Sequence, residues 1–165
     1  MRVAGNATLN QPVALAVGSG GQRGNGTVVV EGDLHITGNV TYDSRQFTKS
    51  SELPSIGFLV RGDIIIDSNV SELAGAYVSL GRDQNCGRDS NGLLPAGCGY
   101  FKTGVSGVHL TVSGLVMGRH LSFQRTASGT AGSEEVLVDG RLSSNPPPGF
   151  ADLVKGLPVW QQVAP

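Results

Sequence analysis

Val28-Val29-Val30-Glu31-Gly32-Asp33-Leu34 recurs without gaps at three later places in the chain. The copies are Phe58-Leu59-Val60-Arg61-Gly62-Asp63-Ile64, Leu110-Thr111-Val112-Ser113-Gly114-Leu115-Val116 and Val136-Leu137-Val138-Asp139-Gly140-Arg141-Leu142. The glycines fall at 32, 62, 114 and 140, with gaps of 30, 52 and 26 residues. Side chains of a strand alternate between its two faces. Val30, Gly32 and Leu34 therefore share a face, as do Val60, Gly62 and Ile64, Val112, Gly114 and Val116, and Val138, Gly140 and Leu142. The opposite face carries Glu31, Asp33, His35, Arg61, Asp63, Asp67, Asp139 and Arg141. Such alternation, recurring at a period of 26–30 residues, predicts an all-β, single-domain β-solenoid (β-helix) whose stacked rungs build one core. The inward glycine belongs where the coil turns a corner or two walls approach closely.

Asn39–Tyr42, Leu73–Leu80 and His120–Gln124 are expected to supply the other sides of the coils. The gap of 52 implies a doubled turn or an insertion. Residues 1–26 read as a leading segment or degenerate first rung, with Pro12–Val17 as its strand. Residues 27–144 read as coils with a loop insertion at 81–104, and 145–165 as a proline-rich tail and cap. Within that tail, Phe150 and Trp160 are the expected cover for the terminal coil, because an open last rung invites aggregation; the alternative is a segment that docks on a neighbouring subunit. No window shows a helical stripe, and Ala151–Lys155 is at most one turn. The rival architecture is an antiparallel sandwich with glycine-rich turns.

Composition narrows the function. The chain has 25 glycines among 165 residues, 15% charged residues and a net charge of −1. Glycine is about twice its usual share and charge is well below it. No basic field is present for nucleic acid or an anionic membrane, and no run approaches the roughly 18 apolar residues of a membrane span. The first residues do not read as a signal peptide, so a protein acting outside the cell would need its targeting segment upstream in a longer chain.

The polar loop contains the tandem Gly81-Arg82-Asp83-Gln84-Asn85-Cys86 and Gly87-Arg88-Asp89-Ser90-Asn91-Gly92, then Cys98. Cys86 and Cys98 are expected to form a disulfide, which implies an oxidising compartment. Free thiols or a metal site are the alternatives. Asp83, Asn85, Asp89 and Asn91 could offer oxygens to calcium, but the EF-hand series is interrupted and a solvated turn fits better. Residues 18–26 lack the glycine spacing of a phosphate-binding loop. Asn-x-Ser/Thr triplets at Asn6, Asn25, Asn39 and Asn69 fit either a glycosylated exterior or turn chemistry.

No catalytic set stands out. Asp33, Asp63 and Asp67 with Arg61 are the nearest candidate for general acid–base work on a polysaccharide, the two former stacked about 4.8 Å apart. Rows of acid and base on a sheet are more often solvated surface. Gly104-Val105-Ser106-Gly107 is one residue short of a nucleophile elbow. His35, His109 and His120 have no evident acid or nucleophile partner in the sequence. No cofactor is expected.

The G-D-[IL]-x-[IV] coils at 32–36 and 62–66 resemble the rungs of bactofilins, cytoskeletal β-solenoids. The ending, Asn145-Pro146-Pro147-Pro148-Gly149-Phe150 followed by Trp160-Gln161-Gln162-Val163-Ala164-Pro165, resembles the C-termini of type IV pilus-associated surface proteins of small-genome bacteria. The likeness covers most of 27–165. The chain departs from bactofilins in its cysteines, long loop and tail. The resemblance and the residues together imply a non-catalytic extracellular or cell-surface structural or adhesive module, in a filament or associated with a pilus. Its expected partners are copies of itself, other surface subunits or glycan. The alternative is a carbohydrate-active β-helix.

Overall fold

The computed structural model describes residues 1–16, 18, 24–43, 46–82, 86–87, 95–126 and 133–155. Strands β1 (Arg2–Val3), β2 (Ala7–Leu9) and β3 (Val13–Leu15) make a first tier. The next tier repeats it with β4 (Asn25–Val30), β5 (Leu34–Ile36) and β6 (Val40–Tyr42). Then come β7 (Ser55–Val60), β8 (Ile64–Ile66) and β9 (Glu72–Ser79). The remaining strands are β10 (Tyr100–Thr103), β11 (Leu110–Gly118), β12 (His120–Ser122) and β13 (Glu134–Leu137). Helices α1 (Gly140–Ser144) and α2 (Ala151–Lys155) follow.

These strands form two parallel sheets. One runs β1-β4-β7-β9-β11-β13, with β3 joined through β6 to β9; the other runs β12-β10-β8-β5-β2. Each pairing between described strands is parallel, which removes the antiparallel sandwich. Val3 pairs with Val30 and Val30 with Val60, while Ala7 pairs with Leu34 and Leu34 with Ile64. Residues 1–16 thus carry the three strands of the first tier, while Asn25 and Gly26 already belong to β4.

Alternation places the core between the sheets. Val30, Val60, Phe58 and Tyr77 from one wall meet Leu34, Ile36, Ile64, Ile66 and Phe101 from the other in one buried cluster. Burying each such side chain contributes roughly 1.5–3 kcal/mol. The Phe58 and Tyr77 rings stack at 5.2 Å, and the Tyr77 hydroxyl donates to the Ala74 carbonyl at 2.9 Å. Gly32 and Gly62 are buried at the corners, Gly62 N donating to Gly32 O at 2.9 Å and Gly32 N to Gly5 O at 2.8 Å.

The third and fourth repeats depart from the expected register. Val60 pairs with Ser79, and Ser79 with Gly118, so Gly114 lies opposite Gly75 rather than in the row of Gly62. Val112 and Gly114 are buried and Val116 is half-buried, but they are not counterparts of Val60, Gly62 and Ile64. The cause is a bend. Gly75 and Gly114 have φ of +116° and +153°, where the long strands β9 and β11 swing from one stretch of the sheet to the next. The N-terminal part of β9 pairs with β6 at Leu73 and its C-terminal part with β7 from Ala76 onward.

In the fourth repeat, Val138 is 95% exposed and Gly140 starts α1. The Asp139 side chain accepts from Arg141 N at 2.9 Å, so Asp-Gly acts as a helix cap instead of a strand corner. Leu142 is buried, but in a second cluster with Ala76, Val78, Leu115 and Phe150 on the outer face of the sheet.

Two boundaries also move. Residues 100–103, assigned to the loop insertion, are strand β10 between β8 and β12. The segment holding Phe150 crosses back over β4 and β7. Thr27 Oγ1 donates to Pro148 O at 2.6 Å, Asn25 Nδ2 to Pro146 O at 2.7 Å, and Asn145 Nδ2 to Leu53 O at 2.8 Å. Phe150 sits against Gly57, where any Cβ would lie 2.5 Å from its ring. Trp160 lies outside the described residues.

Candidate functional site

One outward corner gathers Asp33 and Asp63, two of the three carboxylates that the sequence offers for acid–base chemistry. Each one is occupied by the chain stacked on it. Asn6 Oδ1 accepts from Asp33 N at 2.9 Å, and Asp33 Oδ1 accepts from Asp63 N at 2.9 Å. Asp63, 5% exposed, accepts from Gly97 N at 2.6 Å, Gly99 N at 2.8 Å and Tyr100 N at 2.9 Å. Arg82 Nη2 also donates to both oxygens of Asp33, at 2.9 and 3.0 Å. The result is a ladder of Asn and Asp side chains, each serving backbone N–H groups of the next tier that the corner leaves without a sheet partner.

A second row is ionic. Glu31 lies between Arg2 and Arg61, 2.9 Å from each. The Arg61 hydrogen bond, with further help from Arg2, holds the Glu31 carboxyl below the usual carboxylate range. Asp67 is elsewhere: its Oδ1 lies 3.0 Å from His35 Nε2. Asp33, Asp63, Asp67 and Arg61 therefore divide among three separate contacts.

The histidines do have partners. Besides the His35–Asp67 pair, His109 Nε2 lies 3.3 Å from Glu135 Oε1, and the His120 ring lies 5.2 Å from that of Tyr100. Thr111 Oγ1 donates to the same Glu135 oxygen at 2.9 Å; that bond and His109 depress the Glu135 carboxyl.

Other contacts had no signal in the repeat. The Arg125 side chain is fully buried, donating to Asp67 O at 2.9 Å and Val108 O at 3.1 Å, with Glu134 Oε1 3.7 Å from its Nε. Burial pulls the Arg125 guanidinium below its ordinary value, and Glu134 opposes that pull. Under α1, Arg141 lies over the Tyr42 ring at 4.3 Å. Burial and then the Asp139 carboxylate push the Tyr42 hydroxyl well above its ordinary range.

Cys86 and Cys98 are bonded, with Cα atoms 5.7 Å apart. Asp83, Asn85, Asp89 and Asn91, the oxygens considered for calcium, lie outside the described residues. Among the sequon asparagines, Asn25 Nδ2 donates to the tail, Asn39 Nδ2 to Ser71 Oγ at 3.0 Å and Asn69 Nδ2 to Thr37 O at 3.2 Å. No described helix is long and apolar enough to cross a membrane.

No family model matches the chain, and no match emerges among curated proteins or solved structures.

Proposed function

We propose that the two parallel sheets are walls of a β-solenoid and that this solenoid is a non-catalytic structural or adhesive module. It works outside the cell or at its surface, in a filament or beside a pilus, with further copies, other surface subunits or glycan as partners. The observation that carries this reading is the corner ladder. Asp33 and Asp63, the best acids on offer, spend their lone pairs on backbone N–H groups between tiers. A carboxylate so engaged stiffens a stack and is poorly placed to shuttle protons. The disulfide agrees with an oxidising destination.

The test is substitution of Asp33 and Asp63 by alanine. Asp63→Ala leaves three N–H groups unserved and is expected to lower stability by about 2–4 kcal/mol. Binding and assembly, followed by glycan-array and electron-microscopy measurements on the folded variants, should stay as in the parent. Polysaccharide cleavage by the parent that disappears in either folded variant would overturn the structural reading. It would favour the second one, a carbohydrate-active β-helix. The observation on that side is the His35–Asp67 pair, whose side chains are 43% and 44% exposed on the open sheet face.

A further inference from the structure

The disulfide loop and the corner ladder are one device. In the register of the first sheet, Val60 lies opposite Ser79, so the chain reaches the Gly62 corner again at Gly81. In the second sheet, Ile64 lies opposite Phe101, so the tier resumes at Tyr100 in the row of Asp63. Gly81 and Tyr100 thus stand at two adjoining points of one corner. The two ends touch: a Cβ on Gly99 would lie 2.9 Å from Gly81 N, and one on Gly81 2.9 Å from the Cys98 carbonyl carbon. Gly81, Gly97 and Gly99 all take positive φ, between +78° and +83°. Arg82 N donates to Gly97 O at 2.7 Å across the neck.

We infer that the Cys86–Cys98 disulfide is a redox latch that holds the ladder closed at this corner. Cys98 is fully buried, and the residues flanking it, Gly97 and Gly99, supply two of the three N–H groups that bind the buried Asp63 carboxylate. Arg82, on the other limb of the neck, binds Asp33 one tier below. While the bond is intact, both limbs are fixed on consecutive carboxylates. A dithiol reductant opens it by exchange. One of its thiolates attacks a cystine sulfur and expels the other cysteine thiolate, and its second thiol then closes the reductant's own ring. Two electrons and two protons pass to Cys86 and Cys98, leaving two thiols and the oxidised cyclic reductant.

The released neck then frees Gly97 and Gly99 from Asp63, and water reaches the carboxylate. The start of β10 comes away from β8, while the tiers below keep their own pairing. A chain made in a reducing compartment would stack these tiers first and latch the corner on reaching an oxidising one.

Hydrogen–deuterium exchange of the whole chain, with and without dithiothreitol, tests the latch. Complete reduction is verified by the mass gain of two alkylated cysteines. The expected result is exchange about tenfold faster or more in 97–103, with 28–36 and 55–66 unchanged, the signature of local opening. The double variant Cys86→Ala/Cys98→Ala should show the same pattern without reductant. Unchanged exchange at 97–103 after full reduction would overturn the inference. So would equal acceleration across the chain, or failure of the double variant to fold, since either makes the bond a staple of the entire fold.

Discussion

Glycine 114 shows how one backbone position sets the geometry around it. Its φ of +153° suits glycine, and a Cβ there would run into the carbonyl oxygen of Gly75 on the neighbouring strand. Gly114→Ala combines backbone strain with that collision and is expected to cost about 2–4 kcal/mol in urea unfolding. Gly26→Ala is the control, because a Cβ there meets nothing within 4 Å although the residue shares the same sheet. A loss at Gly114 no larger than at Gly26 would show that β9 and β11 can shift apart. The repeat marks Gly114, and the structure places it at a bend opposite Gly75 rather than in the row of Gly62. Periodicity identifies a glycine in a strand; it does not say whether the glycine serves a corner, as Gly62 does, or a bend, as Gly114 does. The Asp side chains were similarly visible as Gly-Asp pairs at 32–33 and 62–63. Their stacking also follows from the repeat, but the bonds that make it a ladder do not, and its first member, Asn6, lies outside the aligned copies.

At the scale of elements, β9 is the informative strand. Leu73-Ala74-Gly75-Ala76-Tyr77-Val78 is an unbroken run of apolar side chains and glycine, and all six residues are buried. Strands covered on both faces read as continuous rather than alternating. That signal was available in the sequence and pointed to a cover on the outer face. The cover is the segment from α1 to Phe150, which packs Leu142 and Phe150 on Ala76, Val78 and Leu115. The Phe150 ring lies against Gly57, 2.5 Å from where a Cβ would stand. Gly57→Ala should therefore destabilise by forcing the ring away, and Phe150→Ala by about 3–5 kcal/mol through lost burial. Once the ring is gone, the added methyl meets no obstacle from it. The double variant should cost no more than Phe150→Ala alone, a coupling read from a double-mutant cycle. Simple additivity would show that the segment does not lie on β7.

For the whole molecule, acid is the perturbation to which the surface rows should respond. Glu31, Glu52 and Glu135 all have carboxyls held below the ordinary range: Glu31 by Arg61 and Arg2, Glu52 by Thr48, and Glu135 by Thr111 and His109. A carboxyl depressed by folding contributes stability that is complete above its unfolded value. That contribution is lost as pH falls through the lower, folded one. The melting temperature should therefore be level near neutrality and fall on acidification below the ordinary glutamate range of about 4.3. In Glu31→Gln the fall should be shallower, and the gap between variant and parent should close at the acid end. Parallel melting curves for the two proteins across that range would show that the Arg2–Glu31–Arg61 row does not act on global stability.

The local grammar is legible in the chain: short strands of alternating polarity, glycine at the first two corners, and a cysteine pair across one polar loop. Those features depend on residues close together in the chain or on a period that repeats. The register beyond Gly62 and the place of the segment after Asp139 rest instead on contacts between distant parts of the chain. The first turns on whether a bend at Gly75 can be matched at Gly114, 39 positions later. The second turns on Asn25 bonding to Asn145, 120 positions away. Such contacts are chosen by shape and hydrogen-bond complementarity between surfaces that exist only once the tiers have stacked, and no periodicity in the chain encodes them.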